Sequence, residues 1–223
     1  MRPNPVITWL TGVTTFLSLR SRAGLALAVR SFGIFALLAA CGGRGEPDKI
    51  LSVSAHLYVL KSSTPLVEYR DVRQTAIDLG QVVKVVAPIM NVPAVGASEH
   101  ARGVAMLVKG IDAKKSAMFG KLDKLVVDGS LGELKGDSVP APIAIGDRLA
   151  KQLGVKVGDH VSIALTDPRP EPRPFDARVV AVFHSGVDSY DTTVAFGAFE
   201  AVQDLWAKGD VASAIEIECH HRA

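Results

Sequence analysis

The sequence predicts an α+β domain with a mixed sheet, and three observations carry that expectation. β-Branched runs of strand length recur along the body of the chain, short helical stretches fall irregularly between them, and no internal repeat is evident. With 48% hydrophobic and only 6% aromatic residues in 223, the core should be aliphatic and strand-rich, and large enough for one or two compact domains.

The chain opens on an apolar stretch from Val6 to Leu19, is interrupted at Arg20 and Arg22, and resumes from Ala23 to Cys41 with Arg30 inside it. The second stretch is long enough for a membrane-spanning helix. Arg30 near its middle would cost about 3 kcal/mol unless its side chain reaches the interface or the span is displaced. Three readings of residues 1–47 stay open. They form a membrane anchor with Arg20 and Arg22 on the cytoplasmic side; or Leu38-Ala39-Ala40-Cys41 is a lipobox at which a signal peptide is cut and Cys41 is lipidated; or the leader carries no meaning. Either of the first two puts the body outside the cytoplasm.

Gly42-Gly43-Arg44-Gly45-Glu46-Pro47 breaks the apolar pattern, and the folded domain is expected over 48–218, with 219–223 a frayed terminus. Ala55 to Leu60 alternates as a strand. Glu68 to Leu79 reads as a helix with Val72, Ala76 and Leu79 on one face. Val82 to Pro88 and Gly103 to Lys109 read as a pair of strands joined by a Pro/Gly/Asn linker. From Asp112 to Lys135 the signals are short and mixed, with turns at Asp128-Gly129 and Lys135-Gly136-Asp137. Ile143 to Ile145 is a strand, Asp147 to Leu153 a helix, Gly154 its left-handed cap, and His160 to Leu165 another strand. Thr166 to Pro174 carries four prolines and should be an exposed, stiff loop. Arg178 to Phe183 and Thr193 to Phe196 are strands, Ala198 to Lys208 is helical, and Ala214 to Glu218 closes the body as a strand.

Charge excludes one class of partner. Residues 1–49 hold six Lys/Arg against two Asp/Glu, whereas 50–223 hold nineteen against twenty-one. A near-neutral body without a basic run argues against nucleic acid. Two cysteines, Cys41 and Cys219, do not make a disulfide framework.

Several segments together resemble one family. Lys49 to His56, Lys109-Gly110-Ile111-Asp112, the run from Ile143 to Asp159 with its Leu153-Gly154-Val155-Lys156-Val157-Gly158-Asp159 element, and Val180 to Asp191 are similar to the periplasmic domain of lipoprotein-releasing (LolC/LolE) ABC-transporter permeases, a domain shared with MacB-like permeases. The resemblance spans Asp48 to Glu218. It implies two α+β lobes outside the inner membrane that couple a cytoplasmic ABC ATPase and a second permease subunit to extraction of lipoprotein cargo. It also implies a docking hairpin for a periplasmic carrier protein, whose place is taken here by the short Pro168-Arg169-Pro170-Glu171-Pro172-Arg173 connection. Members of the family continue into further membrane helices, so this reading expects a truncated permease. The rival reading is a free-standing lipoprotein, anchored at Cys41, that binds another envelope protein.

No enzyme is expected. The sequence carries no P-loop, nucleophile elbow or HExxH, and neither a cofactor nor a metal is implied. Glu216, Glu218, Cys219, His220 and His221 are metal-capable, but neighbours in an extended segment point to opposite faces. His184, Asp188 and Asp191 could do acid–base work, yet the Gly and Ser around them suit a turn. Gly110, Gly146, Gly154 and Gly158 are expected to be turn residues and not a phosphate cradle.

Overall fold

A computed structural model describes residues 34–38, 55, 57–61, 65–78, 83–135, 139–166, 174–206 and 209–220. In chain order the elements are β1 (Ile34–Leu38), β2 (Leu57–Lys61), α1 (Tyr69–Asp78), β3 (Val83–Ala97), β4 (Val104–Ile111), α2 (Ala117–Asp123), β5 (Val126–Gly129), a 3-10 turn (Leu131–Lys135), β6 (Ala141–Gly146), α3 (Asp147–Leu153), β7 (His160–Leu165), β8 (Pro174–Phe183), α4 (Asp188–Thr193), β9 (Val194–Ala198), α5 (Phe199–Trp206) and β10 (Ala214–Cys219). The expected mixed α+β class is what forms.

All ten strands belong to one sheet, and part of it closes on itself. β3 pairs with β4, β4 with β9, β9 with β6, β6 with β8, β8 with β7, and β7 returns to β3. Two of these pairings, β4 with β9 and β6 with β8, are parallel. The result is a six-stranded barrel. Its interior is filled by alternate residues of each strand, among them Val92, Met106, Val108, Ile143, Ile163 and Val179, all at most 5% exposed.

β3 is the element that joins barrel to wing. Its first half pairs with β10, and β2 and β1 continue the sheet outward from there; its second half lies in the barrel wall. The described residues from Ile34 to His220 form one compact unit, not the two separate lobes that the family resemblance implies.

The expected linker after Pro88 is part of β3, which runs on from Pro88 through Pro93 to Ala97. Both prolines fall where no ladder donor is needed. Successive backbone N–H groups alternate sides, and Ile89 O and Asn91 N face the β10 side, where they bond Ser213. Pro88 therefore faces the β4 side, where pairing has ended at Ile111. Pro93 faces the gap between β10 and β7, and its carbonyl accepts from both the Thr166 N–H and the Thr166 hydroxyl.

Ile34–Leu38 is a strand antiparallel to β2. Three further expectations are corrected. Asp128-Gly129 is the end of β5 on β8, not a free turn, although Gly129 does carry φ +78°. Pro174 begins β8 opposite Ala164, so the stiff loop ends sooner than Pro174. Cys219 lies in β10 opposite Val83 and is not frayed. The remaining residues of 1–47, including Cys41, and the turn at 136–137 lie outside the described residues. Among the described residues, no helix is long and apolar enough to cross a membrane.

Candidate functional site

The glycine-punctuated unit after β6 forms as the sequence predicts. Asp147–Leu153 is helical and Gly154 ends it at φ 67°, ψ 34°, with the Val155 N–H returning to the Ala150 carbonyl. A left-handed residue closes the orphan carbonyls of the last turn, and glycine takes that conformation without strain. The next turn is closed by Asp159, whose carboxylate accepts from the Lys156 N–H at 3.0 Å, while Gly158 and Asp159 exchange backbone bonds with Val179 of β8. Gly146 and Gly110 are not turn residues. Both lie in strands, and a Cβ on Gly146 would stand 2.3 Å from the carbonyl oxygen of Asp191, so its role is to let the α4 backbone approach.

The segment around His184 is not the simple turn expected, because Asp188–Thr193 is helical. Asp191 is 1% exposed, and its carboxylate accepts from the Ser185 N–H, the Ser185 hydroxyl and the Gly186 N–H at 2.7–3.0 Å. His184 Nδ1 stands 3.3 Å from both Asp147 and Asp191. Burial raises the Asp147 carboxyl, but hydrogen bonds from Lys151 and His184 outweigh it and leave the group below its ordinary value. Asp188 is not part of this cluster; it pairs with Arg148. Three potential metal ligands thus come together at Asp147, His184 and Asp191. The Asp191 oxygens are already occupied by the loop they hold, which makes the cluster a clasp between β8, α3 and α4.

β10 separates its ionisable residues by alternation, as expected for an extended segment. Glu216 and Glu218 point to the face packed by α2, whereas Ile217 and Cys219 point to the aliphatic side. Glu216 is 3% exposed; Oε1 accepts from the buried Ser116 hydroxyl, and Oε2 has no hydrogen-bond partner. Burial pushes its carboxyl above the ordinary value, against the opposing influence of Lys109 and Ser116.

Lys109, on the same face, is the residue that sequence reading left unassigned. Paired with Asn91 on one side and Phe196 on the other, it is 4% exposed. Its ammonium lies 5.6 Å from the centre of the Tyr58 ring and 5.9 Å from that of Phe196. Among the described residues no carboxylate reaches it within 4.0 Å. It lines an open cleft of about 390 Å³ together with Tyr58, Leu60, Leu107, Tyr190 and Val194 and, among the described residues, no acidic one. Burial pushes the Tyr58 hydroxyl up to about 12, and raises that of Tyr190, so both remain protonated donors. The one signal in the sequence was a lysine at an alternate position of an otherwise apolar strand, Val104 to Ile111. The expected docking residues Pro168, Arg169, Pro170, Glu171, Pro172 and Arg173 lie outside the described residues.

No family model and no curated protein matches this chain. Among solved structures, the extracellular domain of the noncanonic ABC-type transporter YknZ from Gram-positive bacteria is similar at 14% identity, with a TM-score of 0.46 over 68% of this chain and 72% of that one. The periplasmic region of MacB from Actinobacillus actinomycetemcomitans is similar at 13% identity, with a TM-score of 0.48 over 72% of this chain and 67% of that one.

Proposed function

We propose that the body is the extracytoplasmic domain of a transporter permease of the lipoprotein-releasing type, which passes on motion and does no chemistry of its own. The observation that carries this reading is the continuity of wing and barrel. β2 begins and β10 ends side by side within the wing, with Leu57 opposite Ile217. Neighbouring strands lie about 4.8 Å apart, so the start of β2 and the end of β10 offer one place at which a force on the wing would act. A push applied there passes along β10 to β3, and β3 continues as a wall of the barrel. A closed ladder has no free edge at which to shear, so the barrel would move as one piece.

The sequence segments that resemble lipoprotein-releasing permeases support the same reading from another side. Lys109–Asp112 ends β4, and Ile143–Asp159 makes the strand, capped helix and turn that dock on β8. On this reading the partners are a cytoplasmic ABC ATPase, a second permease subunit, a lipoprotein cargo and a periplasmic carrier, with the body on the outer side of the inner membrane.

Alkaline phosphatase fused after His220 in a bacterial host tests the placement, because the enzyme matures only outside the cytoplasm. Active fusion and an intact mass beginning at Met1 are expected. An inactive fusion whose fluorescent-protein counterpart glows would overturn the proposal, and a diacylated N-terminus at Cys41 would transfer the domain to the free-standing lipoprotein reading.

A further inference from the structure

We propose that the cleft over Lys109 is a binding site for a monoanionic amphiphile: a carboxylate on an aliphatic chain, its head on the lysine and its tail along the apolar lining. This rests on the cleft alone and does not depend on the transport reading.

The Lys109 side chain carries an ammonium into a largely apolar setting. A charged group withdrawn from water is costly unless a counter-charge or hydrogen-bond acceptors replace its hydration. Lys109 is 4% exposed and has ring faces as its neighbours, with no carboxylate in contact among the described residues. Aromatic faces compensate a cation only in part, and Lys109 is among the residues that line the cleft. Glu216, the buried carboxylate whose charge is felt by this group, turns Oε1 to Ser116 and stands in a different recess, with Met118 and Lys121.

The lining then specifies the rest of the ligand. Leu60, Leu107 and Val194 offer an aliphatic wall, and among the described residues no acidic side chain lines it, the nearest negative charge being the buried Glu216, which acts on Tyr58 and Tyr190 from outside the lining. Tyr190 lines the same space with a protonated hydroxyl, and Asn91 adds a side-chain amide, so a carboxylate on Lys109 has further donors beside it. About 390 Å³ lies within the range of small-molecule sites, roughly 300–1,000 Å³, and is too small for a folded partner. A dianionic phosphate is disfavoured by the single cation.

Decanoate is the probe, titrated by calorimetry into the purified full chain, with decanol as the uncharged control. Wild type should bind decanoate at least tenfold more tightly than it binds decanol, and K109M should lose that preference. K109R, which keeps the charge, should retain most of it. T193W, which fills the cleft from its rim without touching the lysine, should weaken both ligands. Equal affinity of wild type and K109M for decanoate, equal affinity of wild type for decanoate and decanol, or no heat with decanoate at millimolar concentration would each overturn the proposal.

Discussion

On β4, Met106 and Val108 point into the barrel among Val92, Ala94 and Ala195, whereas Lys109, one residue on, points outward onto Tyr58 and Phe196. The same contrast holds along β10, where Ile215 and Ile217 join the aliphatic side and Glu216 is buried opposite with one oxygen unpartnered. Both sides of these strands are withdrawn from water, but on different terms. Inside, every group gains by leaving water, and the stabilisation follows the apolar area buried. Outside, charged groups are held where burial penalises them, which stability alone would not select.

The largest effect should come from the interior. Ile163 is fully buried in β7, and Ile163→Ala leaves a cavity the closed ladder cannot collapse around, so a loss of about 3 kcal/mol is expected from the shift in urea midpoint. A loss below about 1 kcal/mol would mean that the barrel interior is loosely packed, and would remove one side of the contrast.

The outer face should respond with the opposite sign. Burial holds the Glu216 carboxyl above its ordinary value of 4.5, so the folded state prefers the protonated form and loses stability as pH rises through the raised value. Glu216→Gln keeps an acceptor for Ser116 and removes that loss. A gain of about 1 kcal/mol near pH 8, fading as pH falls from the raised value toward 4.5 and absent below it, is expected from paired urea melts. A gain independent of pH would point to packing instead.

The smallest effect should lie at the clasp. Asp147 is held below its ordinary value of 3.8, so its contribution is present above that value and is lost as pH falls through the lowered one. Its partner Lys151 is 75% exposed, and the pair is screened accordingly. Asp147→Asn should cost under about 1 kcal/mol near neutrality and progressively less as pH falls below 3.8, read from the difference in melts. A larger cost would make the clasp a third structural centre alongside the two faces.

Much of the local structure was legible in the residues. The helix at Asp147–Leu153 with its Gly154 cap, the strand at His160–Leu165 and most of the helix Tyr69–Asp78 fall where periodicity and capping put them, because each is decided by neighbours within a few positions. β3 was misread at Pro88, since a proline ends a strand only where a donor is required, and that depends on which partners lie alongside. Gly146 looked like a turn for a related reason: the demand on it comes from Asp191, far along the chain. The cleft at Lys109 was read past because one polar residue in a strand is ordinarily solvated, and nothing in the sequence reveals that Tyr58 and Phe196 will enclose it.

Apolar alternation, glycine caps and proline placement were sufficient to settle the fold class and the position of most elements, because those preferences act over a few bonds. Closure of the ladder through β7, the joining of wing and barrel along β3, and the burial of Lys109 and Glu216 on a shared face all arise from pairings between residues distant in the chain. Such pairings are chosen by which surfaces best exclude water once the strands meet, a choice that exists only when the whole body has assembled.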